Sequence, residues 1–237
     1  GFPNTPMEAT HVLARMLDRD LRRTIYLGTW NERWFAVNAG FGMDADVLAR
    51  VDRAREQGFS ATPLRYLNVA IRAWLRARRN PPQITVHAES RLGQTLHKKD
   101  FPLLFTSNTN PWTFLGPLPV VTNPRNSFDE GLALFGLEKL SGVRGVIGLL
   151  HLFGADKHGW LKRLVKEKTL GFDDAKRVEL DCHSPQRFQA DGESEGTFRH
   201  VTLTSVADAI EVYAPQDRRQ VAQRSVQEVL RDFIRLR

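Results

Sequence analysis

The sequence predicts an α+β domain, an antiparallel β-sandwich decorated with amphipathic helices. Short alternating or apolar segments of strand character are separated by glycine and proline turns. Apolar residues also recur at helical spacing in several stretches, and the strand-like pieces do not alternate with them in the regular way a parallel sheet requires.

The elements follow in order. Residues 1 to 22 run from Gly1-Phe2-Pro3-Asn4 into an amphipathic helix, with Thr5 placed to cap it and Pro6 in its first turn. Ile25 to Leu27 and Trp34 to Val37 read as short strands joined by a polar turn around Asn31. The glycine-rich loop Asn38 to Asp44 leads into a helix at about residues 44 to 57. A second helix follows Pro63, with Leu64, Leu67, Ile71, Trp74 and Leu75 on one stripe and Arg65, Arg72, Arg76 and Arg79 largely outside it. That pattern describes a core-facing stripe with a solvated basic back rather than insertion into a membrane.

Asn80-Pro81-Pro82 ends this helix, and Gln83 to Ala88, Thr95 to His97 and Leu103 to Thr106 read as strands. Val120 and Val121, then Leu132 to Leu137, add further strand-like pieces. Residues 141 to 170 read as two helical parts broken near Gly154 to Gly159, the first apolar on one face and the second rich in lysine. Arg177 to Cys182 and Thr197 to Thr204 alternate as strands on either side of Asp191-Gly192. From Gln216 to Arg237 the chain reads as a helix with Val226, Val229, Leu230 and Phe233 on one face. Such a basic terminal helix docks on its own protein or a partner more often than on a membrane.

Composition narrows the function classes. The 237 residues carry 41% hydrophobic and 26% charged side chains, the profile of a folded globular chain, and no apolar run approaches the roughly 20 residues of a bilayer span. A single cysteine, Cys182, rules out an intrachain disulfide and suits a reducing cytoplasm. The net charge of +7 favours polyanions, either nucleic acid or an acidic membrane surface. No helix-turn-helix spacing, zinc-ligand set or aromatic-basic strand pattern supports nucleic acid, which is the weaker option.

Gln189-Ala190-Asp191-Gly192-Glu193 sets two carboxylates beside a glycine between two strands. Asp-Gly is an ordinary hairpin signal, because glycine accepts the positive φ of a primed turn. The sharper reading has Gly192 admitting a substrate to the backbone, while Asp191 and Glu193, two apart in an extended chain, point to one side.

Three other motifs share the chain with it: Asn38-Ala39-Gly40-Phe41-Gly42-Met43-Asp44-Ala45, Asn108-Thr109-Asn110-Pro111-Trp112-Thr113-Phe114-Leu115-Gly116 and Phe128-Asp129-Glu130-Gly131-Leu132. In their order and approximate spacing, all four resemble bacterial diacylglycerol kinases over roughly residues 1 to 214, and the Asn-Pro-Trp-Thr stretch is most similar to the actinobacterial branch. The resemblance is to the second half of that family. It implies that residues 1–22 are the remnant of an upstream nucleotide-binding domain, 23–214 the lipid-kinase C-terminal β-sandwich domain and 215–237 a C-terminal amphipathic helix.

The resemblance implies ATP and Mg2+ as cofactors, with ATP bound mainly by the nucleotide-binding half, and a lipid hydroxyl as phosphoryl acceptor. It makes Asp191 the catalytic base, with Glu193 helping to place magnesium or the hydroxyl. Related sphingosine kinases look instead to an aspartate of the nucleotide motif, which leaves Asp191 an organiser. Asp129 resembles a structural magnesium ligand of some members, although an acidic turn residue without metal fits the same pattern. Asp44 and Asp46 resemble lipid head-group contacts, or they answer a helix dipole. Trp112 and Phe114 read as core, with an acyl-chain cleft the less common use. The seven histidines show no metal-ligand spacing.

The partners implied are the lipid substrate, an anionic membrane surface and a nucleotide-binding domain in cis or in trans, with no nucleic acid; the apolar face of the last helix docks on that domain or, orphaned, drives self-association instead. The location implied is cytoplasmic, peripheral at the inner membrane face. From a different class comes a non-catalytic module that binds anionic lipid through its basic surface.

Overall fold

In a computed structural model, the structure describes residues 2–3, 6–41, 83–111, 113–115, 118–138 and 169–215. The first element is α1 (Pro6–Asp18), which begins at the predicted proline and carries Glu8 in its first turn and Arg15 in its last, both favourable to the helix dipole. Eleven strands follow among the described residues: β1 (Arg22–Trp30), β2 (Arg33–Phe35), β3 (Asn38–Phe41), β4 (Ile84–Ser90), β5 (Thr95–Phe101), β6 (Leu103–Ser107), β7 (Thr113–Leu115), β8 (Leu118–Val120), β9 (Leu132–Leu137), β10 (Thr169–Ala190) and β11 (Glu193–Tyr213).

Nine strands share one sheet in the order β2-β1-β11-β10-β3-β6-β9, with β4 pairing β10 and β5 pairing β4 at its side. Every strand pairing is antiparallel. Because β9 also pairs the start of β10, the path β10-β3-β6-β9 returns to its origin and the sheet closes on itself. Strands β7 and β8 form a separate ribbon.

This architecture corrects the expected α+β sandwich with several amphipathic helices. The described residues hold one helix and a large antiparallel sheet, hydrogen-bonded as a single unit. The helices expected at 44–57, after Pro63, through most of 141–170 and at 216–237 lie outside the described residues, as does the terminal segment 215–237 apart from Pro215. Thr169 and Leu170, placed in a helix by the sequence, open β10 instead and pair with Leu137 and Gly136.

The physical reason lies in two strands of 22 and 21 residues. Polar and turn-forming residues that look like strand ends are absorbed as irregularities within β10 and β11. Asp174 and Asp208 take positive φ, which Asp tolerates better than most side chains. The register shifts between Ala175 and Arg177, between Asp181 and Gln186 and opposite Ile25 to Leu27. Such bulges bend a strand and raise its twist without ending it, and that lets one sheet curl into closure.

The inward face carries the core. Trp30, Phe41, Phe188, Val201 and Leu203 are almost wholly buried, and Phe188 meets Trp30 and Phe41 at centroid separations of 5.1 Å each. Each buried aromatic of this kind contributes about 1.5–3 kcal/mol, so Phe188 fixes the root of the β10–β11 hairpin against β1 and β3. Gly131 precedes β9 where a Cβ would stand 2.7 Å from the Ala175 carbonyl oxygen, so only glycine lets these strands approach so closely.

Candidate functional site

The β10–β11 hairpin turns on two residues, with φ of 49° at Asp191 and 88° at Gly192, and Ala190 facing Glu193 across it. Positive φ at both central positions is the primed turn that an Asp-Gly pair favours. The two carboxylates therefore flank a turn and do not share one face of an extended strand. Glu193, at the first position of β11, is exposed.

Asp191 points back across the sheet. Its Oδ2 accepts from the Ala36 amide at 2.5 Å, and its Oδ1 accepts from Val37 at 2.7 Å and Asn38 at 3.1 Å. Its own N–H donates to the Asn38 carbonyl at 2.8 Å. The carboxylate thus holds three successive amides, Ala36, Val37 and Asn38, where β2 leads into β3.

Buried side-chain amides extend this contact into a network. Gln189, wholly buried, donates from Nε2 to Asn38 Oδ1 at 2.7 Å and accepts the Gly192 N–H at 3.1 Å. β3 lies between β10 and β6, with Gly40 opposite Gln189 and Asn38 opposite Ser107. Directly after β6, Asn108 donates its backbone N–H to the Val37 carbonyl and its Nδ2 to the carbonyls of Tyr26 and Ala36, at 2.8 and 3.2 Å. The Tyr26 N–H in turn donates to the Phe128 carbonyl at 2.8 Å. Asn126 Nδ2 donates to the carbonyl and hydroxyl oxygens of Ser107. Asp129 is ion-paired with Arg23, whose Nη1 also donates to the Pro215 carbonyl.

Four motifs dispersed over more than 150 positions are in this way joined at one corner. Among the described residues, the buried Asn108 Oδ1 and Asn110 Oδ1 find no hydrogen-bond partner. Buried carbonyl oxygens are seldom left so, and a donor hydroxyl or a cation suits them.

Of the residues singled out in the sequence, Asp191, Glu193 and Asp129 belong to this corner, while Asp44, Asp46 and Trp112 lie outside the described residues. The sequence reading gave roles to the acids and none to Asn38, Asn108, Asn126, Gln189 or Arg23. For Asn38, Asn108 and Gln189 the signal was present, since side-chain amides standing at the ends of strands are polar groups that burial obliges to pair; Arg23 and Asn126 carried no such local signal.

Magnesium takes about six oxygen ligands. Among the described residues no group of three or more His, Cys, Asp or Glu surrounds a common point, and the Asp129 carboxylate already faces a guanidinium. The described residues around Asp129 do not by themselves make up a magnesium ligand set.

Among the described residues, a closed antiparallel sheet with a polar corner built from four distant motifs defines the class of structure. Three solved structures from Bacillus anthracis str. Sterne share its fold. Two are described provisionally as diacylglycerol kinases and one without that reserve. The provisional pair superpose with TM-scores of 0.56 and 0.55 at 13% and 15% identity, and the third with 0.52 at 13%. In the same order, the matches cover 89%, 91% and 91% of this chain but only 63%, 62% and 61% of theirs. The chain thus spans about three fifths of the length of these structures. No protein-family model matches it, and no curated protein matches it in sequence. What is established is a diacylglycerol-kinase-like fold. No helix among the described residues is long and apolar enough to cross a membrane.

Proposed function

We propose that this chain is the acceptor-side, C-terminal part of an ATP-dependent kinase that phosphorylates the hydroxyl of diacylglycerol or a related lipid. The carrying observation is the convergence of the four motifs on one hydrogen-bonded corner in a fold shared with diacylglycerol kinases. A glycine-rich nucleotide-binding domain, in cis or in trans, supplies the phosphate cradle in this reading. ATP and Mg2+ are the cofactors of such a transfer, the ion accompanying the phosphate oxygens.

Phosphoryl transfer depends mainly on positioning, and the acceptor alcohol must also lose a proton. Asp191 has three of its roughly four acceptor sites filled by backbone amides, so we assign it the positioning role: it fixes the β2–β3 backbone beside the acceptor. Glu193, exposed two residues on, is the carboxylate left open to take the hydroxyl proton. Asn108 and Asn110, whose side-chain oxygens have no partner among the described residues, stand beside the acceptor in this reading. Trp34, 58% exposed and two residues before Ala36, sets an interface-seeking indole beside the corner, and the net charge of +7 draws the surface to anionic lipid. The protein then works peripherally at the cytoplasmic membrane face. Its assignment to the second half of an actinobacterial-type enzyme belongs to the same proposal.

The test is transfer of labelled γ-phosphate from ATP to diacylglycerol in mixed micelles. The chain alone gives no product, and the chain joined to a nucleotide-binding domain of the family does. In the joined protein Glu193→Gln lowers turnover about 100-fold or more without loss of stability. Lipid phosphorylation by the chain alone, or full turnover in the Glu193 variant, contradicts the assignment.

A further inference from the structure

The outer face of β4 and β5 carries a pair of histidines that the lipid chemistry does not use. His87 and His97 are direct cross-strand partners, both exposed, with Nδ1 atoms 3.0 Å apart and ring centroids 3.9 Å apart at an interplanar angle of 35°. Strand alternation keeps them on the solvent side, since Val86 and Ala88 on either side of His87 point into the core.

The spacing has a chemical meaning. Two nitrogens bound to one metal at about 2.05 Å stand about 2.9 Å apart at a right angle and about 3.3 Å apart at the tetrahedral angle. The observed 3.0 Å falls between these values. The same separation also serves an N–H of one ring donating to the bare nitrogen of the other.

Acidic side chains stand nearby, and basic ones balance them. Glu179 of β10 lies opposite His87 in register, and Glu89 follows on the same face of β4. Glu179 is held by Arg177, and Lys99 on β5 opposes the acids.

We propose that His87 and His97 chelate one borderline divalent transition-metal ion, Cu2+, Ni2+ or Zn2+, on the outer face of the β4–β5 ribbon, with water completing the coordination. Imidazole suits these ions, whereas Mg2+ and Ca2+ require oxygen ligands. The site stands apart from the acceptor corner and does not depend on the lipid-kinase reading.

The experiment is calorimetric titration of the whole chain with Cu2+ and with Zn2+, beside electron paramagnetic resonance of the Cu2+ form. One equivalent binds, and the spectrum shows coupling to two imidazole nitrogens. His87→Gln and His97→Gln each weaken the affinity on the order of 100-fold, because the loss of one arm removes the chelate advantage. His183→Gln and His200→Gln leave it unchanged. Both proposed ligands are exposed, and circular dichroism of the variants verifies the fold. Affinity retained in both single variants, or coupling to fewer than two nitrogens in the wild type, overturns the proposal.

Discussion

Replacing Asp191 separates a carboxylate that holds backbone from one that serves chemistry alone. Three amides converge on it at 2.5, 2.7 and 3.1 Å. Sheltered amide-to-carboxylate bonds contribute about 1.5–3 kcal/mol each, but this carboxylate is exposed and water recovers part of the loss, so about 1 kcal/mol apiece is the appropriate figure. Asp191→Ala removes all three and places a Cβ-bearing residue without a polar side chain at φ of 49°. The left-handed conformation costs a further ~1 kcal/mol, for a total of about 4 kcal/mol. Asp191→Asn tolerates the same φ and keeps one acceptor oxygen, so its cost is about 1–2 kcal/mol. Urea unfolding followed by tryptophan fluorescence measures both, and hydrogen exchange at Ala36, Val37 and Asn38 reports the local effect. If Ala and Asn each cost under about 0.5 kcal/mol, the amides are satisfied by water and the positioning role is refuted.

Other expectations follow from the same geometry. Gln189→Leu deprives Asn38 Oδ1 and the Gly192 N–H of a buried partner, at a cost of about 2–3 kcal/mol in chemical denaturation. Phe188→Ala opens the aromatic core behind the hairpin and costs about 3–5 kcal/mol, with loss of the near-ultraviolet circular dichroism of its neighbours. The Cys182 thiol is pushed up to about 12, by burial first and by the Asp181 charge second. At pH 8 it reacts with a thiol reagent only when the protein is unfolded, and rapid native labelling would contradict its burial. Because the folded thiol keeps its proton longer than the unfolded one, this group's contribution is intact below about pH 8.5 and is lost as pH rises toward 12.

Legibility in the sequence followed locality. Leu103 to Thr106 and Leu132 to Leu137 could be read as strands because their apolar runs are short and bounded by turn residues, and they form β6 and β9. The polar turn at Asn31 and the Asp-Gly hairpin were equally plain, since each rests on two adjacent residues. The length of β10 and β11 was not legible. Asp174, Ser184-Pro185 and Asp208 carry the chemistry of strand ends, and only pairing with β4 and β9 at the first, β11 at the second and β1 at the third carries the strands past them. Nor could the stretch Asn38 to Phe41 be told from a glycine-rich loop, because its strand character comes from lying between β10 and β6.

The candidate site divides along the same line. Asp191, Glu193 and Asp129 stood out because carboxylates advertise chemistry wherever they occur. The contacts Gln189–Asn38 and Arg23–Asp129 join residues 151 and 106 positions apart, and no local pattern encodes such partners. The resemblance of motifs in order pointed to the corner, while the hydrogen bonds assigned each residue its place within it.

The central claim is that the corner where the four motifs meet receives a lipid alcohol. Amide chemical shifts of the isotopically labelled chain, followed during titration with a short-chain diacylglycerol, test it most directly. The account predicts saturable shifts concentrated at residues 36–41, 108–110 and 189–193, weakened in Asp191→Ala. Shifts centred on another face, or none at saturating lipid, would contradict it.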